Sequence, residues 1–357
     1  MKRRVLMASA ALVVLCLASI PTASYYYTAS WGAGCARCHQ IRENLDSWRS
    51  AAHRGINCTA CHESGVRDNL RRVATQWFGA IPEQIHLRAD AVDAMVGKCQ
   101  SCHRQEFAQW RAGPHGSTYS RFLLDREHNR KRLLMDDCLR CHGMHFEGPI
   151  GQAVQPVDTK GPWHLTDAKL AGRPAIPCLA CHAMHREGMP LAKPSERIGA
   201  KQEIVRPSLA LFDRRSREHV GVDALPLPVI LEGGRQVRMS PDVRQSLCYQ
   251  CHAPLSAAQI GSGDDRTPMG VHEGLSCLAC HQKHGQATRQ SCADCHPRLS
   301  NCGLDVEKMD TTFLNPKSRH DVHRVKCADC HPNGIPKGRK DQRPAATATP
   351  TNVSAQP

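Results

Sequence analysis

The chain has few aromatic residues for its length. Of its 357 residues only 16 are Phe, Trp or Tyr, whereas Gly and Pro together number 49. A chain of this length normally forms two or three domains, each with an apolar core of its own. This composition is poorly suited to filling such cores with side chains alone, so we expect another source of apolar mass.

Charge is absent from a long N-terminal stretch. After the basic residues 2–4 no charged residue occurs until Arg37, and Val5 to Ile20 is almost wholly apolar. One interpretation is a cleaved secretory signal, with small residues near Thr22-Ala23 as the cleavage site. The other, which we favour, is an uncleaved anchor, because Val5 to Tyr27 is long enough to span a bilayer. Both interpretations place the rest of the chain outside the cytoplasm.

Almost all cysteines lie in one repeated motif. Nine copies of Cys-x-x-Cys-His contain 18 of the 20 cysteines, and only Cys16 and Cys302 lie outside them. A zinc site would need paired CxxC motifs with no fixed histidine, and a thioredoxin-like dithiol would need one copy on a βαβ unit. The pentapeptide is instead the attachment signature of c-type haem. We therefore predict nine covalently bound haem c groups.

Each motif assigns three residues to one haem: two cysteines that bind the porphyrin, and a histidine that binds the iron. The predicted attachment residues are Cys35, Cys38, Cys58, Cys61, Cys99, Cys102, Cys138, Cys141, Cys178, Cys181, Cys248, Cys251, Cys277, Cys280, Cys292, Cys295, Cys327 and Cys330. The predicted proximal ligands are His39, His62, His103, His142, His182, His252, His281, His296 and His331.

Nine porphyrins would supply the missing apolar mass. We predict a mainly α fold with long loops, short helices and little β structure, wrapped round haems as its core. The formal charge of +14 would suit nucleic acid or an acidic membrane. Each haem carries two propionates, however, so the eighteen propionates of nine haems would bring the net charge from +14 to −4 with ferrous iron and to +5 with ferric iron. The basic residues are therefore expected mostly to pair propionates, and no nucleic acid partner is expected.

The spacing of the motifs suggests how the chain is divided. Motif starts are 23, 41, 39, 40, 70, 29, 15 and 35 residues apart, and the three steps near 40 suggest a repeated unit. In the longest step, Pro228 to Met239 predicts a β-hairpin that turns at Gly233-Gly234. The predicted segments are a signal anchor or signal peptide (1–30), a dihaem module (31–95), a trihaem module (96–200), a linker (201–245), a tetrahaem module (246–335) and a disordered tail (336–357).

Twelve histidines remain outside the motifs, enough to give nine irons a second axial ligand. Three of them, His145, His185 and His284, form CxxCHxxH. Such a histidine leaves from the proximal side of its own haem, so we expect it to bind a neighbouring iron. His128 falls in a helix predicted over Tyr119 to Met135. The predicted distal ligands are His53, His115, His128, His145, His185, His272, His284 and His323; His86, His164, His219 and His320 stay open.

The N-terminal hundred residues resemble the NapC/NirT family. The resemblance rests on Cys-Ala-Arg-Cys-His-Gln-Ile-Arg-Glu-Asn from Cys35, on Ala-His-Arg-Gly-Ile-Asn-Cys-Thr-Ala-Cys-His up to His62, and on the segment Phe78 to Arg88. It covers about residues 1–103. It implies a membrane-anchored cytochrome that oxidises quinol and passes electrons to periplasmic partners. Members often carry a Met ligand two residues after the first motif's histidine, where this chain has Ile41.

The remaining haem region resembles the multihaem families related to cytochrome c-554 and to the decahaem outer-membrane conduits. The pattern CxxCHxxxxxxWxxxxH from Cys99 to His115 carries this resemblance, as does Val-His-Glu-Gly-Leu-Ser-Cys from Val271 to Cys277. It implies a haem array that serves electron transfer.

Two functions follow from these features. The favoured one is a nonahaem carrier, on the periplasmic side of the bacterial inner membrane, which passes electrons from the quinol pool or a membrane partner to a periplasmic or outer-membrane redox partner. A soluble periplasmic or exported protein is the alternative location. The alternative function is a multihaem reductase of nitrite, hydroxylamine or a sulfur oxyanion with one open haem. Such reductases often replace a motif histidine by Lys, and no CxxCK occurs here, so we expect no enzyme.

Overall fold

Short helices joined by long loops make up most of the fold. The structure is a computed structural model, and it describes residues 2–31, 34, 36, 39–62, 65–67, 71, 74–75, 78–79, 87–130, 133–186, 191–192, 204–252, 265–285, 321–330 and 333. The α-helices in this part are α1 (Lys2–Ala29), α2 (His39–Ser50), α3 (Cys58–Cys61), α4 (Ala89–Cys102), α5 (Arg104–Ala112), α6 (Tyr119–Leu123), α7 (Arg126–Asn129), α8 (Gln245–Tyr249), α9 (Cys277–Cys280) and α10 (Cys327–Cys330). Single 3₁₀ turns cover Pro114–Gly116, Asp136–Arg140, Ile150–Gln152, Ala168–Leu170, Cys178–Ala180 and Gly270–His272.

The N-terminal apolar stretch forms the single helix α1. Its side chains, Leu6 and Leu15 among them, are exposed. Among the residues that the structure describes, no helix combines the length and the apolar character needed to cross a membrane. Anchoring over Val5 to Tyr27 therefore stays a prediction without structural support.

The β structure consists of short antiparallel hairpins. The pairs are β1 (Val154–Gln155) with β2 (His164–Leu165), β3 (Leu191–Ala192) with β4 (Ile204–Val205), β5 (Ala210–Asp213) with β6 (Glu218–Gly221), and β7 (Leu231–Glu232) with β8 (Arg235–Gln236). In the last pair Gly233 and Gly234 adopt φ of 58° and 80°, a left-handed turn that glycine allows at no steric cost. The predicted hairpin is confirmed, as is the mainly α fold with little β structure.

The predicted helix over Tyr119 to Met135 is wrong, because the chain breaks between α6 and α7. The amide of Asn129 donates to the Phe122 and Leu123 carbonyls at 2.9 and 3.0 Å, which satisfies the end of α6. The Asp125 carboxylate then accepts hydrogen bonds from the backbone of Glu127 and His128, both at 3.0 Å. This is an N-cap, which starts a new helix rather than continuing the old one.

The main apolar cluster surrounds the fourth motif. Leu139, inside that motif, is fully buried against Tyr119, Leu123, Val154 and Trp163. The cluster is small, and the other described motifs lie outside it. A second, smaller cluster in the described part of the chain contains Ala180 of the fifth motif, packed with Met144 and Phe212. Helices and hairpins therefore act mainly to position motif residues.

Candidate haem sites

Each described motif folds into one tight turn. The backbone N–H of the motif histidine donates to the carbonyl of the first cysteine. This bond measures 2.8 Å at His62 and His103, 2.9 Å at His142, His252 and His281, and 3.0 Å at His182. Such a turn puts the first and fourth residues on one face. Both thiols can therefore reach one porphyrin, and the motif histidine follows directly after the second cysteine.

Within the described ranges, five proximal histidines each have a second imidazole nearby. The ring centroids are 5.8 Å apart for His62 and His185, 6.0 Å for His182 and His284, and 6.1 Å for His103 with His53, His252 with His115, and His281 with His323. Two imidazoles on opposite faces of one metal ion have centroids about 6 Å apart, because each metal–nitrogen bond is about 2 Å long. The observed spacing fits one iron between the rings of each pair.

The paired imidazoles also border open space. All ten are exposed or half-buried in the polypeptide. His115, His185 and His281 are exposed, yet burial lowers the pKa of each. Both observations hold if these rings line a hollow that the chain encloses. A hollow bordered by paired imidazoles and motif cysteines is what a covalently bound porphyrin requires, so the residues fit the group.

Where burial lowers the pKa of a paired imidazole, it favours the neutral form, which is the form that binds metal. Burial is the main cause at His182, where it lowers the pKa to about 4, and the neighbouring His284 lowers it further. His53, His284 and His323 are shifted in the same direction, also mainly by burial.

A hydrogen bond orients the His185 imidazole, and another holds the segment that carries His115. The Nδ1 atom of His185 lies 3.1 Å from the Asn44 carbonyl on α2, which leaves Nε2 to face His62. His115 lies on the 3₁₀ turn after α5. The Trp110 indole on α5 donates to the Ile176 carbonyl at 3.1 Å, which ties this turn to the segment just before the fifth motif.

A backbone contact between distant segments positions His272 and His323. The Met269 amide donates to the His323 carbonyl at 2.6 Å, and the Val271 amide donates to the Val325 carbonyl at 2.9 Å. The Nδ1 atom of His272 lies 3.0 Å from the Val322 carbonyl. His323 faces His281, as given above. The ligand role of His272 stays a prediction, since three proximal histidines lie outside the described side chains.

His145 has different surroundings, although it shares the CxxCHxxH spacing. Its ring stacks on Phe212 at 3.9 Å, and burial lowers its pKa to about 3. Its Nε2 atom is buried and has no hydrogen-bond partner in the described part of the chain. Nearby, the Nε2 atom of His219 lies 2.7 Å from the Leu179 carbonyl. The ligand role of His145 stays a prediction.

The remaining predicted site residues that the structure describes are His128 and the residues of the fourth motif. His128 is exposed on α7, and no ring contact joins it to another histidine within the described ranges. Its ligand role stays a prediction. The His142 ring contacts Phe122 at a centroid distance of 4.2 Å, and the sequence did not predict this contact. Outside the described residues lie Cys35, Cys38, His86, Cys292, Cys295, His296, His320 and His331, and the side chains of His39, Cys327 and Cys330.

Contacts between cysteines show which motifs are neighbours. Hydrogen bonds join the free thiols of Cys99 and Cys178, of Cys141 and Cys251, and of Cys248 and Cys277. Each hydrogen bond raises the pKa of one thiol and lowers that of the other. Cys61 is close enough to Cys99 and Cys102 that their charges raise its pKa, although burial is the larger cause. The third motif thus touches the second and fifth, and the sixth touches the fourth and seventh.

Two family models match parts of the chain. Residues 98–183 match the model of cytochrome c554 and c-prime, and residues 235–297 match the model of cytochrome c7 and related cytochrome c. The two matches together support a multihaem c-type cytochrome. The resemblance to cytochrome c-554 over Cys99 to His115 is therefore confirmed. Neither match reaches residues 1–97, so the NapC/NirT resemblance stays a prediction. No curated protein and no solved structure matches the chain significantly.

A multihaem c-type cytochrome binds haem covalently and takes part in electron transfer. Such cytochromes are typically exported to the periplasm. The division of this cytochrome into modules stays a prediction. Of the five imidazole pairs, only His281 with His323 lies within one predicted module.

Proposed function

We propose that this cytochrome is a nonahaem electron carrier in which paired histidines hold the irons on both faces. The observation that carries the proposal is the set of five imidazole pairs at 5.8–6.1 Å. His53, His115, His185, His284 and His323 are the proposed distal ligands of the third, sixth, second, fifth and seventh haems. An iron bound on both faces offers no site for substrate, which favours a carrier over a reductase.

The proposed route follows the touching cysteines. Bound haem supplies one-electron redox chemistry, and the motif residues set where each haem is held. Cys61 lies near Cys99, and Cys99 contacts Cys178. Burial, and to a smaller extent the charge of the nearby Cys248, raise the pKa of Cys181 to about 12. Cys248 in turn contacts Cys277. This order supports transfer from the second motif through the third, fifth and sixth to the seventh, with the fourth beside the sixth.

The distal ligands connect the motifs a second time. His185 follows the fifth motif and faces the second, and His284 follows the seventh and faces the fifth. His115 follows the third motif and faces the sixth. Each haem would then be bound by two separate parts of the chain. Such cross-connection keeps neighbouring haems at fixed separation, which a carrier needs and which a chain with few aromatic residues could not achieve by packing alone.

The proposed donor is membrane quinol or a membrane partner that meets the chain near Cys35, and the proposed acceptor is a periplasmic or outer-membrane redox partner. The resemblance of residues 1–103 to the NapC/NirT family supports the donor. Fractionation tests this end of the proposal. A mature protein that keeps residue 1 or 2 and stays with membranes after a high-salt wash supports quinol as donor. A soluble protein that begins near Ser24 would remove that support.

The haem number and ligation are tested on the purified protein. Intact mass after denaturation and acid–acetone extraction should show nine covalent haems. The EPR spectrum of the oxidised protein should contain low-spin signals, and carbon monoxide should bind little to the reduced protein. Stoichiometric carbon monoxide binding, together with rapid turnover of nitrite or hydroxylamine, would make the reductase the better assignment. A mass that matches fewer haems would remove at least one motif.

A further inference from the structure

We infer that a surface depression lined by four arginines docks a carboxylate-rich face of a redox partner protein, an inference that rests on the proposed carrier function. The depression has a volume of about 580 Å³. We call it the arginine depression; it is lined by Arg88, Arg214, Arg215 and Arg217 together with Phe146, Glu147 and Gly148. Four guanidinium groups face one carboxylate there, so the lining carries a clear excess of positive charge.

Three of the arginines belong to the turn of the β5–β6 hairpin. The Asp213 carboxylate accepts a hydrogen bond from the Arg215 backbone N–H at 2.9 Å. The Asp213 backbone carbonyl accepts one from the Arg217 backbone N–H at 2.8 Å. Arg217 has a φ of 60°, a left-handed conformation that is uncommon for residues other than glycine. Such strain persists only where the surroundings impose it, and it is enriched at functional sites. The turn therefore accepts this backbone strain and places three guanidinium groups close together.

The surrounding contacts hold the arginine depression open. Arg217 donates to the Glu147 carboxylate at 3.0 Å and to the Leu87 carbonyl at 3.3 Å. Arg214 donates to the Gly148 carbonyl. Arg215 is exposed, and its side chain makes no hydrogen bond or ion pair within the described residues. A planar guanidinium that is not engaged matches the two oxygens of an incoming carboxylate.

Arg88 extends the charged surface from the other side. Its side chain is 69% exposed and lies 3.3 Å from the Asp90 carboxylate. An exposed pair of this kind is weak and exchanges readily with solvent, so Arg88 can turn to a partner. Arg88 and Arg215 therefore form the accessible part of the depression, whereas Arg214 and Arg217 form its fixed wall.

The composition of the lining favours a protein partner over the chain's own haems. None of the lining residues is His or Cys, so no attachment or axial residue in the described part of the chain faces the space. The fourth motif is nevertheless close. The Phe146 amide donates to the Gly143 carbonyl at 2.8 Å, and Phe146 is four positions after His142, a span of at most about 14 Å. A partner docked here would sit beside the fourth haem, drawn in by charge at a salt-dependent rate.

The test uses the haem-loaded protein and a fluorescein-labelled polyglutamate peptide, with binding followed by fluorescence anisotropy. We expect Arg215→Glu and Arg88→Glu each to weaken binding by about tenfold or more. Binding to the wild type should also weaken steeply as salt rises. Arg126→Glu is the matched control, since Arg126 is exposed on α7 outside the depression; its effect should stay within about twofold.

Three results would overturn the inference. Unchanged peptide binding in both variants would show that the depression is not the docking surface. A changed haem spectrum or midpoint potential would show that the arginines hold propionates. If sulfate at constant ionic strength displaced the labelled peptide as well as unlabelled polyglutamate does, the ligand of the depression would be a small oxyanion instead of a protein. Oxidation of the reduced protein by a small uncharged quinone distinguishes the two proposals. If the quinone does not oxidise the protein, the carrier function is wrong. If the quinone oxidises the protein but the peptide does not bind, only the docking surface is wrong.

Discussion

The imidazoles of His281 and His323 lie nearly parallel, with ring centroids 6.1 Å apart and planes 14° from each other. One belongs to the seventh motif and the other precedes the ninth. The backbone contact of Met269 and Val271 with the His323 and Val325 carbonyls fixes this distance. Two distant segments are therefore aligned so that their side chains can bind one metal ion from opposite faces.

Loss of His323 should open the seventh haem. In His323→Ala the His281 imidazole and the motif cysteines remain, so haem attachment should be unchanged. One low-spin haem should become high-spin, bind carbon monoxide and rise in potential, because a strong donor to ferric iron is lost. EPR and a redox titration measure this. His164→Ala is the control, since His164 is exposed on β2. An unaltered EPR spectrum in His323→Ala would contradict the proposed ligand.

His185 and His145 should behave differently despite their identical motif spacing. His185→Ala removes the ring that faces His62, so it should yield one high-spin haem. His145→Ala removes a ring buried against Phe212. It should instead lower the free energy of unfolding by about 1–3 kcal/mol through lost packing, with the EPR spectrum unchanged. A high-spin signal in His145→Ala would restore the ligand role that the spacing predicts.

The sequence predicts the local turn of each described motif well, because that turn forms between residues close together in the chain. Both cysteines and the histidine must lie within one turn, and the backbone bonds of the six described motifs show that turn. The β7–β8 hairpin is equally local, since Gly233 and Gly234 decide it. The helix predicted over Tyr119 to Met135 fails because a single cap at Asp125 outweighs the apolar pattern around it.

The pairing of histidines could not be predicted, because it depends on tertiary contacts. Nothing near His185 in the sequence points to Asn44, whose carbonyl orients its ring. The same spacing sends His145 against Phe212, a residue of a hairpin that the sequence did not predict. The arginine depression was missed for a similar reason, since Arg88 joins the β5–β6 turn only in the folded chain.

Gly116 should be required for the position of His115. A Cβ atom there would lie 2.8 Å from the Arg111 Cα atom and would also clash with the Trp110 carbonyl. Gly116→Ala should therefore displace the 3₁₀ turn, cost about 1–3 kcal/mol of stability and give one high-spin haem at the sixth motif. Gly97→Ala on α4 is the matched control. It meets no atom within 4 Å and should stabilise the helix by about 1 kcal/mol. A low-spin spectrum in Gly116→Ala would show that His115 tolerates the shift.

Asp242 should make stability depend on pH at the acidic end. It is fully buried and bonds to Arg244 at 3.0 Å and to Ser276, the N-cap of α9, at 2.7 Å. Burial raises the pKa of Asp242, but the hydrogen bonds from Arg244 and Ser276 outweigh it and lower the pKa overall. Because the folded pKa lies below the unfolded value of about 3.9, the stabilisation is complete above that value and is lost as pH falls through the folded pKa.

Removal of this carboxylate should abolish that pH dependence. Asp242→Asn removes the carboxylate charge beside the buried Arg244 guanidinium, which should cost about 3–5 kcal/mol at neutral pH. Its thermal midpoint should then change less than that of the wild type when the pH is lowered from 5 to 3, a window of about two units around the unfolded pKa. Asp46→Asn is the control, because Asp46 and Arg49 form an exposed pair that contributes at most about 1 kcal/mol. Parallel melting curves of Asp242→Asn and wild type across this range would show that another group governs acid stability.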